Sequence, residues 1–266
     1  PNTSATAASS GSDLNGMAAM NAARTIRRRL TAFASNHYGV PETEIAFYSG
    51  RIQIGARKVS FSDLVMEAYL NRVQLSATGF YRTPKIHWDP ITATGRPFYY
   101  FAYGAAVTEV AIDLLTGENR VIAVDILHDV GRSLNPAVDM GQIEGGFIQG
   151  MGWLTTEELV YSDDGRLLTT GPATYKIPAV SDCPPDLRVT LLPDSPNREA
   201  TIFHSKAVGE PPLMLGIAVW SALRDAVSSL TDYRFSPPLD TPATPERVLD
   251  AVTASQTWAD KQQEAS

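Results

Sequence analysis

Two stretches of the chain combine residue types that chemistry needs. The first is Ser205-Lys206-Ala207-Val208-Gly209-Glu210-Pro211-Pro212-Leu213. Pro212 suits the first turn of a helix, where its missing N–H costs nothing, so Glu210 falls at or just before a helix N-terminus. The proline after Glu210 disfavours helical backbone there and predicts an extended anchor. A carboxylate held so firmly suits general-base work, which requires geometry first. The helix dipole favours its ionised form, and burial opposes it. An ordinary acidic residue at a helix start fits the same pattern.

The second stretch, Gly141-Gln142-Ile143-Glu144-Gly145-Gly146-Phe147-Ile148-Gln149-Gly150-Met151-Gly152, carries five glycines in twelve residues. Each helical glycine costs about 0.8–1 kcal/mol relative to alanine, so something must offset the penalty. Gln142, Gly145, Gly146, Gln149 and Trp153 share one helical face, and Ile143, Phe147, Met151 and Leu154 form an adjacent apolar stripe. Glycines flanked by projecting amides suit close approach of a planar polar ligand. Tight packing against another backbone explains the glycines equally. A third candidate is the opening loop, Asn2 to Ser10, whose hydroxyls and N–H groups could meet an anion, or which could simply be a loose terminus.

Other groups read more plainly. Lys206 could tune a site near Glu210 or be a solvated surface charge. Cys183 has no obvious base and reads as a buried or inert thiol. His128, at a strand end, reads as a satisfied structural histidine. No G-x-S-x-G, Walker A or G-x-G-x-x-G pattern is present, which removes hydrolase, P-loop and Rossmann classes. One cysteine and four scattered histidines supply no protein-built zinc or iron–sulfur site within the chain. With 29 acidic and 22 basic side chains the net charge is −7, unsuited to a general nucleic-acid binder. No apolar run reaches the ~18 residues of a membrane helix, so the chain reads as soluble. It opens on Pro1 with neither the basic start nor the apolar run of a signal peptide, and reads as a processed subunit or part of something longer.

The elements that must position these groups follow from patterning. Ser12 or Asp13 starts a helix to about Ser35, Glu44 to Ile54 forms a hairpin around Ser49-Gly50, and Ser60 or Ser62 starts a helix to about Val73. Phe98 to Leu115 and Val121 to Asp129 are strands flanking the turn Thr116-Gly117-Glu118-Asn119. The glycine-interrupted helix spans about Val138 to Glu158. Asp186 to Leu192 is a strand, Leu213 to Ser229 a buried helix, and Thr244-Pro245-Glu246 opens a short last helix. Strands and helices mix without a βαβ rhythm, which gives an α+β class with mixed sheets and packed helices. Residues 1–254 read as one domain without an internal boundary, the stretch Thr83 to Pro97 being the one weak candidate, and 255–266 as a frayed tail.

Lys206-Ala207-Val208-Gly209-Glu210-Pro211-Pro212 resembles the signature of the xanthine dehydrogenase/xanthine oxidase family of molybdenum hydroxylases. Thr78-Gly79-Phe80-Tyr81-Arg82-Thr83-Pro84, Asp129-Val130-Gly131-Arg132-Ser133-Leu134-Asn135-Pro136 and Gly171-Pro172-Ala173-Thr174-Tyr175-Lys176-Ile177-Pro178 agree with it, in order. The similarity runs from Pro1 to about Val248. It implies the C-terminal half of the molybdopterin-binding large subunit, with the metal held by the pterin dithiolene and not by side chains. It implies that Glu210 is the catalytic base acting on a molybdenum-bound hydroxyl, with hydride passing to the sulfido ligand. It places Gln142 beside the cofactor and Thr6, Ala7, Ala8 and Ser9 in the loop packed at metal and pterin.

The same resemblance implies 2Fe-2S clusters, FAD and NAD on partner domains or chains, a symmetric dimer of the heteromeric unit, and a cytoplasmic setting. The purine-orienting glutamate and arginine would lie in the preceding half of the subunit. The implied activity is hydroxylation of hypoxanthine and xanthine to urate. The alternatives are hydroxylation of aldehydes or other N-heterocycles, or a non-catalytic subunit that only encloses the cofactor.

Overall fold

The structure is a computed structural model that describes residues 9–264. The chain divides into two compact units, Pro1–Tyr99 and Tyr100–Ser266, each with its own apolar core.

In the first unit a π-helical turn, Gly11–Gly16, leads into helix α1, Met17–Tyr38. The chain leaves α1 through Gly39 in the left-handed conformation, at φ 67°, where glycine carries no Cβ penalty. Strands β1 (Ile45–Tyr48), β2 (Arg51–Ile54) and β3 (Arg57–Ser60) form an antiparallel meander in which Ile45 faces Ile54 and Ile52 faces Val59. Helix α2, Phe61–Leu70, starts where the Ser60 hydroxyl accepts the Asp63 N–H at 3.0 Å, a side-chain cap worth about 1 kcal/mol. Leu30 and Ala34 of α1, Ile52 and Ile54 of β2, and Leu64 and Ala68 of α2 fill the core.

The loop after α2 lies along α1. Asn21 donates to the Phe80 carbonyl at 2.8 Å, and Arg29 donates to the Ser76 carbonyl at 2.8 Å. Gly79 permits that approach, because a Cβ there would sit 1.8 Å from the Ala18 carbonyl oxygen. A small hairpin, β4 (His87–Asp89) and β5 (Thr94–Arg96), completes the unit.

The second unit is built on β6 (Gly104–Ile112), β7 (Asn119–His128) and β8 (Asp186–Leu191), in the order β6-β7-β8. β6 and β7 are antiparallel, whereas β8 returns parallel to β7. The β6–β7 turn is held by Asp113, whose side chain accepts the Leu115 N–H at 2.8 Å and the Thr116 N–H at 3.2 Å. Helices α3 (Pro136–Thr155), α4 (Ile217–Ser229) and α5 (Pro245–Glu264) surround a core formed by Val124, Ile126, Phe147, Val219, Leu223 and Val252, among others. Helices, an antiparallel meander and a mixed sheet make the α+β class expected from the sequence.

Three details differ from expectation. Residues 211–216 form a 3-10 helix ahead of α4, where the sequence predicts α-helix from Leu213 onward. Residues 255–264 continue α5, with Ser255 fully buried and Trp258 stacked on Phe235 at 5.7 Å between ring centroids. Cys183 is exposed, which sets aside the buried alternative of its reading.

Candidate cofactor-binding and catalytic surface

Helix α3 is entered through Asn135, whose side chain caps Val138 N–H at 3.4 Å, and Pro136 occupies its first turn. Its buried glycines receive the 3-10 helix that follows Glu210. A Cβ on Gly146 would lie 3.0 Å from Pro212 Cβ, and one on Gly150 would lie 2.2 Å from the Leu213 carbonyl oxygen. One on Gly216 would lie 2.5 Å from the Gly150 carbonyl carbon. Backbone packing therefore accounts for Gly146 and Gly150, and Gly152 is closed off by Pro178 and Glu157.

Gly141 and Gly145 behave differently. Nothing lies within 4 Å of a Cβ built on either, and Gln142, Gln149 and Trp153 on that side are exposed. The two explanations for the glycines thus divide along the helix: one set packs against backbone, the other leaves an open approach to the helix surface beside glutamine amides.

The packing also fixes a direction. Contacts advance together, Gly146 with Pro212 and then Gly150 with Leu213 and Gly216, so the two segments run the same way. Gln142 lies one turn before Gly146, and Glu210 lies two residues before Pro212. Both accordingly emerge at the same end of the packed pair, and both are exposed. Glu210 is not extended as the following proline predicted. It sits at φ −96°, ψ −38° because its carbonyl accepts the Leu213 N–H at 3.1 Å and closes the first 3-10 turn.

On the other side of Glu210, residues 204–207 are pinned to the end of β7 and the segment after it. Lys206 N–H donates to the Val130 carbonyl at 2.8 Å, and Arg132 N–H donates to the His204 carbonyl at 2.9 Å. Ala207 N–H donates to the Tyr100 hydroxyl at 2.7 Å. Gly131, at φ +64°, allows this junction, since a Cβ there would be 2.6 Å from the His204 oxygen. Lys206 is not a solvated charge: its ammonium is ion-paired to Asp129, with side chains 9% and 3% exposed, and lies 5.1 Å from the centre of the Tyr103 ring. His128 is buried, its Nδ1 has no partner among the described residues, and burial pushes its pKa below the usual value despite Asp129 beside it.

Sequence reasoning missed the Asp129–Lys206 pair, although both residues stand inside stretches it had singled out. Nothing in local patterning couples positions so far apart. A cavity of about 480 Å³ opens beside this junction, lined by Val130, Gly131, Arg132, Ser133 and residues 191–196, and includes neither Glu210 nor Gln142. Ser9 is in a left-handed conformation at φ 51° in the first unit, while Thr6, Ala7 and Ala8 lie outside the described residues. Among the described residues no cluster of three His, Cys, Asp or Glu could hold a metal ion, and no helix is long and apolar enough to cross a membrane.

A model of the molybdopterin cofactor-binding domain matches residues 1–184, and the chain belongs to that family. Its curated relatives include xanthine dehydrogenases/oxidases, the family that the motifs resemble. It is 48% identical over 254 residues to the xanthine dehydrogenase/oxidase of Gallus gallus, covering 94% of this chain and 17% of that protein. It is 46% identical over 267 residues to the xanthine dehydrogenase of Oryza sativa subsp. japonica, covering 95% of this chain and 18% of that protein.

Among solved structures, quinoline 2-oxidoreductase from Pseudomonas putida 86 superposes with a TM-score of 0.75 at 25% identity, over 93% of this chain and 30% of that one. The fold is also that of a Cu,Mo-CO dehydrogenase, with a TM-score of 0.77 at 20% identity over 96% of this chain and 31% of that one. The chain therefore spans under a fifth of the curated relatives' length. The open Gly141–Gly145 side of α3, with its exposed amides, fits a planar polar group such as a pterin.

Proposed function

We propose that this chain is the part of a xanthine-dehydrogenase-type molybdenum hydroxylase that supplies the general base, Glu210, and a cofactor contact, Gln142. The observation that carries the proposal is the shared direction of α3 and the 3-10 helix, which brings both residues out at one end. The bound molybdenum–pterin cofactor supplies the two-electron oxidation chemistry, with water as the oxygen source. The Glu210 carboxylate takes the proton from the oxygen nucleophile, a task that requires a held carboxylate within hydrogen-bond reach. The Gln142 amide, with donors and an acceptor, meets the polar edge of the cofactor. Thr6, Ala7, Ala8 and Ser9 are proposed to pack against the same group.

The proposed substrates are hypoxanthine and xanthine, oxidised to urate. The 2Fe-2S clusters, FAD and NAD are proposed to lie on parts of the protein beyond this chain, in a dimer of the full unit, where they would supply the path for the electrons. The quinoline 2-oxidoreductase likeness keeps hydroxylation of other N-heterocycles as a second proposal.

The test uses the full-length, molybdenum-loaded protein and follows anaerobic reduction by xanthine, with quinoline and an aldehyde in parallel. Glu210→Gln is expected to keep its molybdenum and to lose the reductive step by about 10²–10⁴-fold. Wild-type reduction in that variant removes Glu210 from the base role and leaves a cofactor-enclosing chain.

A further inference from the structure

Glu210 is exposed and makes no side-chain cap, so the direction of its carboxylate is set by the backbone on either side. On its C-terminal side the 3-10 helix is seated on α3. On its N-terminal side the chain is anchored at Ser205, which is extended and bridged antiparallel to Gly131, and a one-residue slip of such a pairing turns the side chains to the opposite face. Backbone hydrogen bonds alone repeat along a chain and select register weakly. Beside the side-chain contacts of Tyr100 with Ala207 N–H and of Asn197 and Thr201 with the Ser205 carbonyl, Lys206 supplies a charged side chain of the segment itself with a buried counterpart.

We propose that Lys206 and Asp129 are a positioning pair that fixes the register of residues 205–210 and thereby aims Glu210. This rests on Glu210 being the base. The pair is almost fully buried, and a buried ion pair is weak evidence for stability but a recognised means of specifying register. Asp129 is itself tied down: its Oδ1 accepts the Gly131 N–H at 2.9 Å while Oδ2 faces Lys206 Nζ. Just upstream, Phe203 and His204 are both left-handed, at φ 47° and 62°, strain that persists only where the surroundings over-determine the backbone. The ammonium thus has one place to go, and Glu210 follows four residues later.

The test compares Lys206→Met, the uncharged double variant Lys206→Met/Asp129→Asn, and Lys206→Arg in the full-length, molybdenum-loaded protein. The double variant leaves no unpaired buried charge and so separates positioning from folding. Both Met variants are expected to keep molybdenum and KM for xanthine, to lose kcat by about 10–100-fold, and to exchange amide hydrogens faster at residues 207–213 alone. Lys206→Arg is expected to recover part of kcat. Wild-type kcat and exchange in the double variant overturn the proposal. So does a variant that loses molybdenum with exchange raised throughout the second unit, since the pair would then be merely structural. Wild-type kcat in Glu210→Gln would sink the base assignment instead, and exchange at 207–213 would still decide whether the pair holds register.

Discussion

Gly150 and Gly216 meet backbone to backbone, with no space between them for a Cβ on either. The contact lets the segment carrying Glu210 lie flat on α3, and it separates two kinds of glycine on one helix. Gly150→Ala is expected to lower stability by about 1–3 kcal/mol, because the new methyl would strike the Leu213 carbonyl and force residues 211–216 outward. Gly145→Ala meets open space and should raise helix stability by up to about 1 kcal/mol. If the cofactor approaches that side, the same variant binds less molybdenum. Thermal unfolding and metal analysis of the two variants check both halves; equal melting temperatures would contradict the packing.

Gln142→Ala removes one polar contact among those proposed for the cofactor. Its effect is expected to be a loss of occupancy or a rate reduction milder than that of Glu210→Gln. The measurement is anaerobic reduction normalised to bound molybdenum. A fully occupied Gln142→Ala protein as inactive as Glu210→Gln would reverse the ranking of the two residues.

His128 predicts a pH dependence. Its folded pKa lies below the ordinary 6.5, first because of burial and also because of the Lys206 charge, against the opposing pull of Asp129. Above 6.5 the imidazole is neutral in both states and contributes no slope. As pH falls below 6.5 the unfolded chain takes up the proton first, so stability is lost with falling pH. Melting temperatures of wild type and His128→Gln, followed from about pH 8 to pH 5, should diverge in slope below 6.5, the variant being flatter. Parallel curves would mean that His128 titrates alike in both states.

Gly79→Ala should lift the 78–84 loop from α1, where the added methyl would overlap the Ala18 carbonyl. The expected signs are faster proteolysis within that loop and loss of the Asn21–Phe80 hydrogen bond. An unchanged cleavage pattern would show that the loop is held elsewhere.

Much of the fold was legible because its signals are local. The Ser60 cap, the turn at 116–119, the β6–β7 pair and the glycine-rich helix each follow from a few adjacent residues. Strand β3 was not visible, since Arg57–Ser60 offers four residues with little apolar alternation. The 3-10 helix was not visible, since prolines in a first turn suit an α-helix as well, and its close seating on α3 at Gly150 and Gly216 is a tertiary contact. At the candidate site, Glu210 and Gln142 stood out by residue type. Their common end did not, because it depends on which way one helix lies on another. The Asp129–Lys206 pair was illegible for the same reason: it is tertiary, with nothing in either flank to announce it.

The parallel return of β8 to β7 has a bearing on how the molecule assembles. β7 ends at His128 and β8 begins at Asp186, so the ladder between them closes only after the whole intervening chain has been drawn in. The Asp129–Lys206 contact closes a longer loop still, of 77 residues. Such closures come late, since their entropy must be spent before their contacts give anything back. On this loop-entropy argument the carboxylate at residue 210 is expected to be placed only after the local turns, hairpins and helices have formed, together with the β7–β8 ladder.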